Sequence, residues 1–360
     1  MMTDKVTLRE KIGYGFGDAA SSMFWKIFTF YLAIFYTDVF GIPAAVAGTM
    51  FLLTRIWDTA NDPIMGIIGD RTNTRWGKFR PYLLWVSVPF AIIGVLLFTT
   101  PNLGITGKIV YAYISYTIMM MAYTAINVPY ASLLGVMTAK SEERTSLASY
   151  RMVFAFGGSL LVVAMFQPLV DWFSKSIKPE SAYQLTMVVI GAIVVVFFFF
   201  TFLWTCERIT PPKSQNNNLR EDVKNLINNI PWFVLLGAGV MTLIFNSVRD
   251  GVAVYYFKYF ISDDAAVSIS KATFTYSTLY LFIGQATNML GVIMAKPISA
   301  KFGKRNTFMG AMIAAAVLSS LFVLCTTEGV IWVYILQALV SFCAGIIFPL
   351  LWSMYADTAD

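Results

Sequence analysis

Long apolar runs separated by short polar segments dominate the chain. No charged residue occurs among the 27 residues between Arg80 and Lys108, or among the 31 between Lys108 and Lys140. About 20 largely apolar residues are needed for one helix to cross a bilayer. The pattern predicts ten membrane-spanning helices, at about residues 12–37, 45–69, 81–101, 108–138, 147–173, 183–205, 231–260, 272–295, 306–326 and 329–356.

The composition supports a polytopic membrane protein. Of the 360 residues, 58% are hydrophobic and only 13% are charged, whereas about 25% of residues are charged in an ordinary soluble protein. There is no histidine, and the three cysteines do not have metal-ligand spacing. With no phosphate-binding glycine loop either, the sequence does not predict an enzyme. The net charge of +6 is spread over short loops, so nucleic acid is not an expected partner.

The basic residues also predict an orientation. If the N-terminus lies inside, the predicted inner segments hold 17 of the 26 Lys and Arg residues, and the outer loops hold four. Loops on the cytoplasmic side of a membrane are enriched in Lys and Arg. We therefore expect a cytoplasmic N-terminus, and we find no removable signal peptide.

The longest polar connection follows the sixth predicted span and suggests a division of the chain. Residues 29–41 (TFYLAIFYTDVFG) and 252–264 (VAVYYFKYFISDD) form a weak internal repeat across it. We predict an N-terminal six-helix half at 1–206, a cytoplasmic linker at 207–230 that includes an amphipathic helix, and an incomplete C-terminal half at 231–360. A plan of two six-helix halves leaves ten of twelve helices here, so we expect a fragment; a genuine ten-span protein is the alternative.

The second predicted span carries ionisable side chains. Asp58 and Asp62 are four residues apart, which places them on one face of a helix. Charges inside a membrane are costly and usually serve function. Together with Asn61, the two carboxylates could offer several oxygens to a hard cation such as Na⁺. The alternative is a structural ion pair with Arg55, which would leave one negative charge unmatched.

Four stretches carry a resemblance to a known family. They are GYGFGDAASSMFWK (13–26), RIWDTANDPIMGIIGDRTNTRWGKFRPYLLW (55–85), AYTAINVPYASL (122–133) and MYADTAD (354–360). Together they resemble the glycoside–pentoside–hexuronide:cation symporters of the major facilitator superfamily, the melibiose permease-like transporters. The resemblance implies an all-α, polytopic, two-half helical bundle in the bacterial inner membrane.

The resemblance also implies a cation site. Its members coordinate the cation with the residues that correspond to Asp58, Asn61, Asp62 and Thr124, all of which are present. No cofactor is expected beyond the coupling ion, and Asp58 and Asp62 would hold Na⁺. Na⁺ is favoured, but H⁺ remains an alternative because a pair of carboxylates can share a proton.

The sugar site departs from the best-known pattern. Where melibiose-type members have two Asp, a Trp and an Arg, this chain has Ser22, Asn127, Ala131 and Arg151, so melibiose itself is a poor candidate. The predicted substrate-binding residues are Asp18, Ser22, Lys26, Tyr123, Asn127, Tyr130, Arg151 and Arg249. The alternatives are helix–helix bonding for Asn127, core packing for Tyr123 and Tyr130, and pairing of Asp18 with Lys26 or Arg151.

A charged loop and the end of the chain suggest a gate. The residues with a predicted gating role are Asp70, Arg71, Arg75, Lys78, Arg80, Arg144, Asp357 and Asp360. We expect Asp70 to pair with a basic residue such as Arg144, in a network that breaks when the protein changes conformation. The alternative is a solvated positive loop that only sets topology.

These observations predict a secondary active transporter. It would carry a glycoside, a pentoside or another sugar by alternating access, coupled to Na⁺ or H⁺, with the lipid bilayer as its other partner. The alternatives are a carrier of a lipid-like or non-sugar substrate within the same superfamily, or a non-transporting sugar sensor.

Overall fold

The computed structural model describes residues 6–209, 229–261, 266–269, 272–325 and 330–359. The chain divides into two compact units, Met1–Pro211 and Pro212–Asp360. Among the described residues, eight helical stretches are long and apolar enough to cross a membrane, and one of them, Arg80–Leu97, consists of two short helices in succession. The first two helices, which carry Asp18, Lys26, Asp58 and Asp62, are not among them. The count of ten spans, and the roles of 1–206 and 231–360 as transporter halves, remain predictions.

The described elements are almost all helical, as predicted. The first unit contains α1 (Leu8–Ile27), α2 (Ala44–Arg71), α3 (Arg80–Trp85), α4 (Ser87–Leu97), α5 (Ile105–Met137), α6 (Ser141–Ser174) and α7 (Pro179–Trp204). The second contains α8 (Ile230–Tyr256), strands β1 (Ala266–Ile269) and β2 (Ala272–Thr275), α9 (Tyr276–Phe302), α10 (Lys304–Ser320) and α11 (Val330–Ala359). Most of the predicted amphipathic helix in the linker lies outside the described residues.

The helical run that starts with α1 begins earlier and ends later than the predicted span 12–37. Thr7 and Glu10 form a reciprocal capping box at its start, which satisfies two backbone donors that a helix terminus leaves open. Two π-helical stretches, Phe28–Leu32 and Phe35–Phe40, carry the chain onward to Gly41. Gly41 ends the run with φ of 84°, a conformation that glycine adopts at little cost.

Helices α1 and α6 approach each other closely in the first unit. A Cβ at Gly158 of α6 would lie 2.5 Å from the carbonyl oxygen of Ala19, so only a glycine fits there. Tyr14 and Phe24 on α1 are fully buried in the same core. This backbone contact fixes the separation of the two helices that carry Asp18 and Arg151.

The third predicted span, 81–101, is interrupted. Helix α3 ends at Trp85 and α4 begins at Ser87, with Val86 between them. Pro89 lies in the first turn of α4, and proline has no N–H to donate to the carbonyl four residues earlier. That carbonyl belongs to Trp85, which explains why one continuous helix does not form.

The span predicted at 272–295 begins later than expected. Residues 272–275 form β2, which pairs antiparallel with β1, Ala266 opposite Thr275. Thr275 then caps α9 by accepting a hydrogen bond from the N–H of Thr278. Within the second unit, α9 packs along α11, and α10 packs against α11 as well.

Candidate functional site

The predicted cation-site residues on α2 and α5 lie together. The Oγ1 atom of Thr124 is 2.9 Å from Oδ1 of Asp58 and 2.9 Å from Oδ1 of Asp62. The two carboxylates come from successive turns of α2, and the buried hydroxyl comes from α5, which packs alongside. The predicted association of these three side chains is therefore present in the structure, while the binding of a cation there remains a prediction.

The charges in this cluster are not balanced. A hydroxyl has one proton, so Thr124 can donate to only one carboxylate at a time. The nearest cation in an ion pair is Arg55, whose Nη1 is 3.8 Å from Oδ2 of Asp58. Charge-assisted hydrogen bonds are about 2.7–2.9 Å long, so Arg55 does not make one. Two carboxylates share one hydroxyl proton and one guanidinium that forms a long ion pair with Asp58 alone, an arrangement that an additional proton or cation would stabilise.

The helix around the pair offers further oxygen atoms. Asn61 precedes Asp62 and has a half-buried side chain. Pro63 lies inside α2, so the carbonyl of Thr59 loses its usual helical donor. That carbonyl belongs to the turn between the two aspartates. The ligands available here are all oxygens, which suits a hard cation.

Trp25 is a neighbour of this cluster that the sequence did not single out. The guanidinium carbon of Arg55 lies 4.5 Å from the centre of the Trp25 ring. The ring of Tyr123, one residue before Thr124, is 5.3 Å from the same indole. Trp25 therefore connects α1 to both helices of the cluster. The only sign of this role in the sequence was that Trp25 lies in a predicted span that also carries charged residues.

The predicted sugar-site residues Asp18 and Arg151 form an ion pair. Nε of Arg151 is 3.1 Å from Oδ2 of Asp18, and the two side chains are 35% and 16% exposed. Of the two partners considered for Asp18, the structure selects Arg151. The guanidinium also lies over the ring of Tyr130, 5.3 Å from its centre.

Tyr130 is occupied by packing. Its side chain is fully buried, its ring stacks on Tyr14 at 4.8 Å, and its hydroxyl donates to the carbonyl of Tyr14 at 2.7 Å. These contacts favour the packing alternative over direct sugar binding. Tyr123 is less enclosed and lies between Trp25 and Phe90.

The other predicted substrate residues have local contacts. Asn127 donates its amide to the carbonyl of Tyr123 within α5, not to another helix. Lys26 lies over the ring of Phe30, and Ser22 is half-buried on α1. In the second unit, Nη2 of Arg249 is 3.2 Å from Oδ1 of its neighbour Asp250.

The predicted gating loop makes contacts different from those expected. Asp70 pairs with Lys78 across the loop at 3.1 Å, not with Arg144. Arg144 instead donates to the carbonyls of Thr138 and Gly135, at the end of α5. Asp70 therefore pairs with a basic residue, as expected, but the partner is Lys78 and not Arg144, because the unpaired carbonyls that end α5 attract the Arg144 guanidinium.

The other residues with a predicted gating role do not form one network in the described part of the chain. Arg75 lies over the ring of Trp76. Arg71 is exposed at the end of α2. Asp357 belongs to α11 but its side chain is outside the described part of the chain, as is Asp360.

The principal organiser of this loop, Glu207, was not predicted. Its carboxylate accepts the backbone N–H groups of Lys78, Phe79 and Arg80 at 2.7–2.8 Å. These donors belong to the residues that open α3, and a helix N-terminus attracts negative charge. Arg80 in turn donates to the carbonyl of Phe202 at 2.6 Å. Backbone donors have no sequence signature, so only the acidic residue directly after an apolar span could have suggested this contact.

Further contacts hold the start of the chain at the same end of the unit. Arg208 binds Glu10, and Glu143 accepts the backbone N–H of Val6 at 3.1 Å. Partial desolvation acts to raise the pKa of the Glu143 carboxyl, but the hydrogen bonds from Val6 and Thr138 outweigh it and hold that pKa below its usual range. The ends of α1, α5, α6 and α7 are thus joined by charged contacts.

The part of the chain that the structure describes contains no group of three or more His, Cys, Asp or Glu residues able to hold a metal ion. The Asp58–Asp62 pair offers two carboxylates with neutral oxygens beside them.

Comparisons with known proteins agree with this architecture. The family model described as "MFS/sugar transport protein" matches residues 13–360. The "Putative glycoside/cation symporter YagG" of Escherichia coli strain K12 is 35% identical, over 99% of this chain and 75% of its own length. The "Isoprimeverose transporter" of Lactiplantibacillus pentosus is 33% identical, over 86% of this chain and 62% of its own length.

A solved structure shows the same fold. A mutant form of the nucleoside transporter NupG superposes with a TM-score of 0.67 over 97% of this chain and 85% of its own, at 14% sequence identity. At that identity the likeness concerns the fold alone.

Proposed function

This chain belongs to the MFS/sugar transport protein family, and on that premise we propose that it is a cation-coupled symporter for a glycoside or related sugar. The family match and the relatives identify a multi-pass membrane transporter and not an enzyme. The resemblance to the glycoside–pentoside–hexuronide symporters that the sequence motifs suggested is confirmed. The coupling ion, the substrate and the inner-membrane location are our proposal.

The observation that supports coupling most is the incomplete neutralisation of Asp58 and Asp62. Both carboxylates contact one hydroxyl, and the nearby guanidinium is too distant for a direct hydrogen bond. The two carboxylates therefore carry more negative charge than the neighbouring side chains neutralise. Binding of a cation would supply the missing positive charge and would draw α2 and α5 together through Thr124.

We favour Na⁺ as the coupling ion because one neutral oxygen contacts both carboxylates and others lie on the same turns of α2. Thr124, Asn61 and the carbonyl of Thr59 are ligands that a proton does not require. If a proton is the coupling ion instead, the pair would share it, since like charges close together raise one pKa.

For the substrate we propose a neutral glycoside, such as one containing a pentose. Asp18 and Arg151 neutralise each other at 3.1 Å, so this pair offers hydrogen-bond donors and acceptors without excess charge. The relative named as an isoprimeverose transporter points to the same class. Cation and sugar sites share α5, so each ligand would raise the affinity for the other by the same coupling free energy.

The test is uptake into proteoliposomes of a panel of labelled sugars: a xyloside, a galactoside, a glucuronide and a nucleoside. Each is measured with an inward Na⁺ gradient, with a proton gradient and with neither. We expect accumulation of a neutral glycoside driven by Na⁺, and its loss in the double variant Asp58→Asn, Asp62→Asn. The matched control is Asp171→Asn, an exposed carboxylate on α6, which should retain uptake.

Accumulation of the nucleoside alone would overturn the substrate class. Full gradient-driven accumulation in the double variant would overturn the assignment of the cation site. Accumulation driven only by the proton gradient would replace Na⁺ by H⁺ as the coupling ion.

A further inference from the structure

Trp25 lies where three helices meet and contacts neighbours of the carboxylate pair. Its half-buried indole projects from α1. One neighbour is the guanidinium of Arg55 on α2, 4.5 Å from the ring centre. The other is the ring of Tyr123 on α5, 5.3 Å away and tilted by 38°. Tyr123 therefore supports the indole that Arg55 contacts.

Arg55 has two possible partners, the indole of Trp25 and the carboxylate of Asp58. A cation within about 6 Å of an indole centre is attracted by the ring, and Arg55 is well inside that limit. Its nearest approach to Asp58 in the ion pair is 3.8 Å, about 1 Å longer than a charge-assisted hydrogen bond. Arg55 and Asp58 are on successive turns of one helix, so a direct bond would be within reach of the long side chain. Instead the guanidinium lies over the indole and makes only a long ion pair with Asp58.

This position matters because Arg55 and a coupling cation would compete for the same oxygens. If Arg55 closed on Asp58, it would neutralise one carboxylate and repel any other cation. With Arg55 over the indole, neither carboxylate accepts a direct hydrogen bond from the guanidinium, although Asp58 keeps a long ion pair with it, and Thr124 contacts both carboxylates.

We propose that Trp25 is a positioning residue that keeps Arg55 away from the Asp58–Asp62 pair and so preserves the affinity of that pair for the coupling cation. The proposal rests on the cation site proposed above. It assigns to α1 a role in cation affinity that acts through Arg55.

The test compares Trp25→Leu and Trp25→Phe with the wild type in detergent and in proteoliposomes. The first readout is the Na⁺ concentration that gives half of the maximal thermal stabilisation, which needs no sugar. The second is the KM for sugar at saturating Na⁺. The control is Trp172→Leu, an indole on α6 that is 63% exposed.

We expect Trp25→Leu to raise the half-saturating Na⁺ concentration by about five- to tenfold, the equilibrium equivalent of one cation–π contact. Trp25→Phe keeps an aromatic face and should remain within about threefold. The KM at saturating Na⁺ and all values of Trp172→Leu should stay within about twofold. In an Arg55→Gln background, Trp25→Leu should change the half-saturating concentration by less than about twofold, because the competing cation is gone.

An unchanged half-saturating concentration in Trp25→Leu would overturn the proposal. So would an equal shift in the Arg55→Gln background, which would make Trp25 a packing residue only. A wild type that responds to no cation would contradict the proposed function rather than the role of Trp25. If the wild type responds only to protons, the same variants are compared by the pH of half-maximal uptake, which Trp25→Leu should lower by about 0.7–1 unit, the same five- to tenfold loss of affinity.

Discussion

Two groups of carboxylates in the first unit differ in how well they are satisfied. Glu207 accepts three backbone N–H groups, all within 2.8 Å. Asp58 and Asp62 share one hydroxyl proton and a guanidinium at 3.8 Å. A carboxylate with its full set of donors has no need of another ligand and stabilises the fold. A pair that lacks donors is suited to bind something that the chain does not supply.

This contrast separates structural from functional acids without reference to where they lie in the sequence. Glu207 contacts the start of α3, and Asp58 and Asp62 lie on successive turns of α2. Each group also has an arginine close by, Arg80 beside Glu207 and Arg55 beside Asp58. What distinguishes them is the number and distance of the donors. The same change, from carboxylate to amide, should therefore have opposite consequences in the two groups.

The largest effect is expected for Asp62→Asn. In the wild type, Na⁺ at about 100 times its dissociation constant should stabilise the protein by about 2.7 kcal/mol. The variant should lose this response, and without Na⁺ it should be at least as stable as the wild type, because like-charge repulsion is relieved. Thermal unfolding in NaCl and in choline chloride measures both. A full Na⁺ response in Asp62→Asn would remove the contrast between the two groups.

Glu207→Gln should show the opposite pattern. Hydrogen bonds to charged groups contribute about 1.5–3 kcal/mol, and an amide places donors against the N–H groups of the loop. We expect a loss of about that size in the free energy of unfolding, in either salt. The half-saturating Na⁺ concentration should be unchanged. If Glu207→Gln altered the Na⁺ response more than the stability, Glu207 would belong to the functional group.

Thr124 tests the connection between the two helices of the cation cluster. Thr124→Val keeps the shape of the buried side chain but removes the hydroxyl, and should raise the half-saturating Na⁺ concentration about tenfold. Thr124→Ser keeps the hydroxyl and should stay within about threefold. Equal effects of the two variants would show that the methyl group, not the hydroxyl, matters. Sodium titrations of thermal stability distinguish these results.

The smallest effect is expected for Asp70→Asn. The Asp70 side chain is 70% exposed, and exposed ion pairs contribute about 0–1 kcal/mol. Stability should fall by less than about 1 kcal/mol, and the effect should shrink further in high salt. Unfolding at two ionic strengths provides the measurement. A tenfold loss of uptake at unchanged stability would instead support the gating role that the sequence predicted for this loop.

The sequence was most informative about the helices and about local pairs within one helix. Apolar spacing located α5 and α7 to within a few residues, and the i, i+4 spacing placed Asp58 and Asp62 on one face. The family resemblance brought in Thr124 from a different helix. The break in the helix at Val86 could also have been predicted, because Pro89 has no N–H to donate to the carbonyl of Trp85.

Contacts between distant segments could not be read in the same way. Glu207 binds backbone groups more than 120 residues earlier, and a backbone N–H looks the same at every position. Arg144 had two possible attractions, Asp70 and the last carbonyls of α5, and only the geometry of the loop decided between them. The role proposed for Trp25 depends on its contact with Arg55. That contact joins two different helices, and a single sequence does not reveal it.

The close approach of α1 and α6 at Gly158 has a genetic consequence. Every missense change in a glycine codon adds at least a Cβ, and here that atom would lie 2.5 Å from the carbonyl oxygen of Ala19. A saturation library selected for growth on the transported sugar should therefore retain only synonymous codons at position 158. Gly157, whose added Cβ would meet nothing within 4 Å, should accept small residues in the same library. Two adjacent codons would then have opposite tolerance to change.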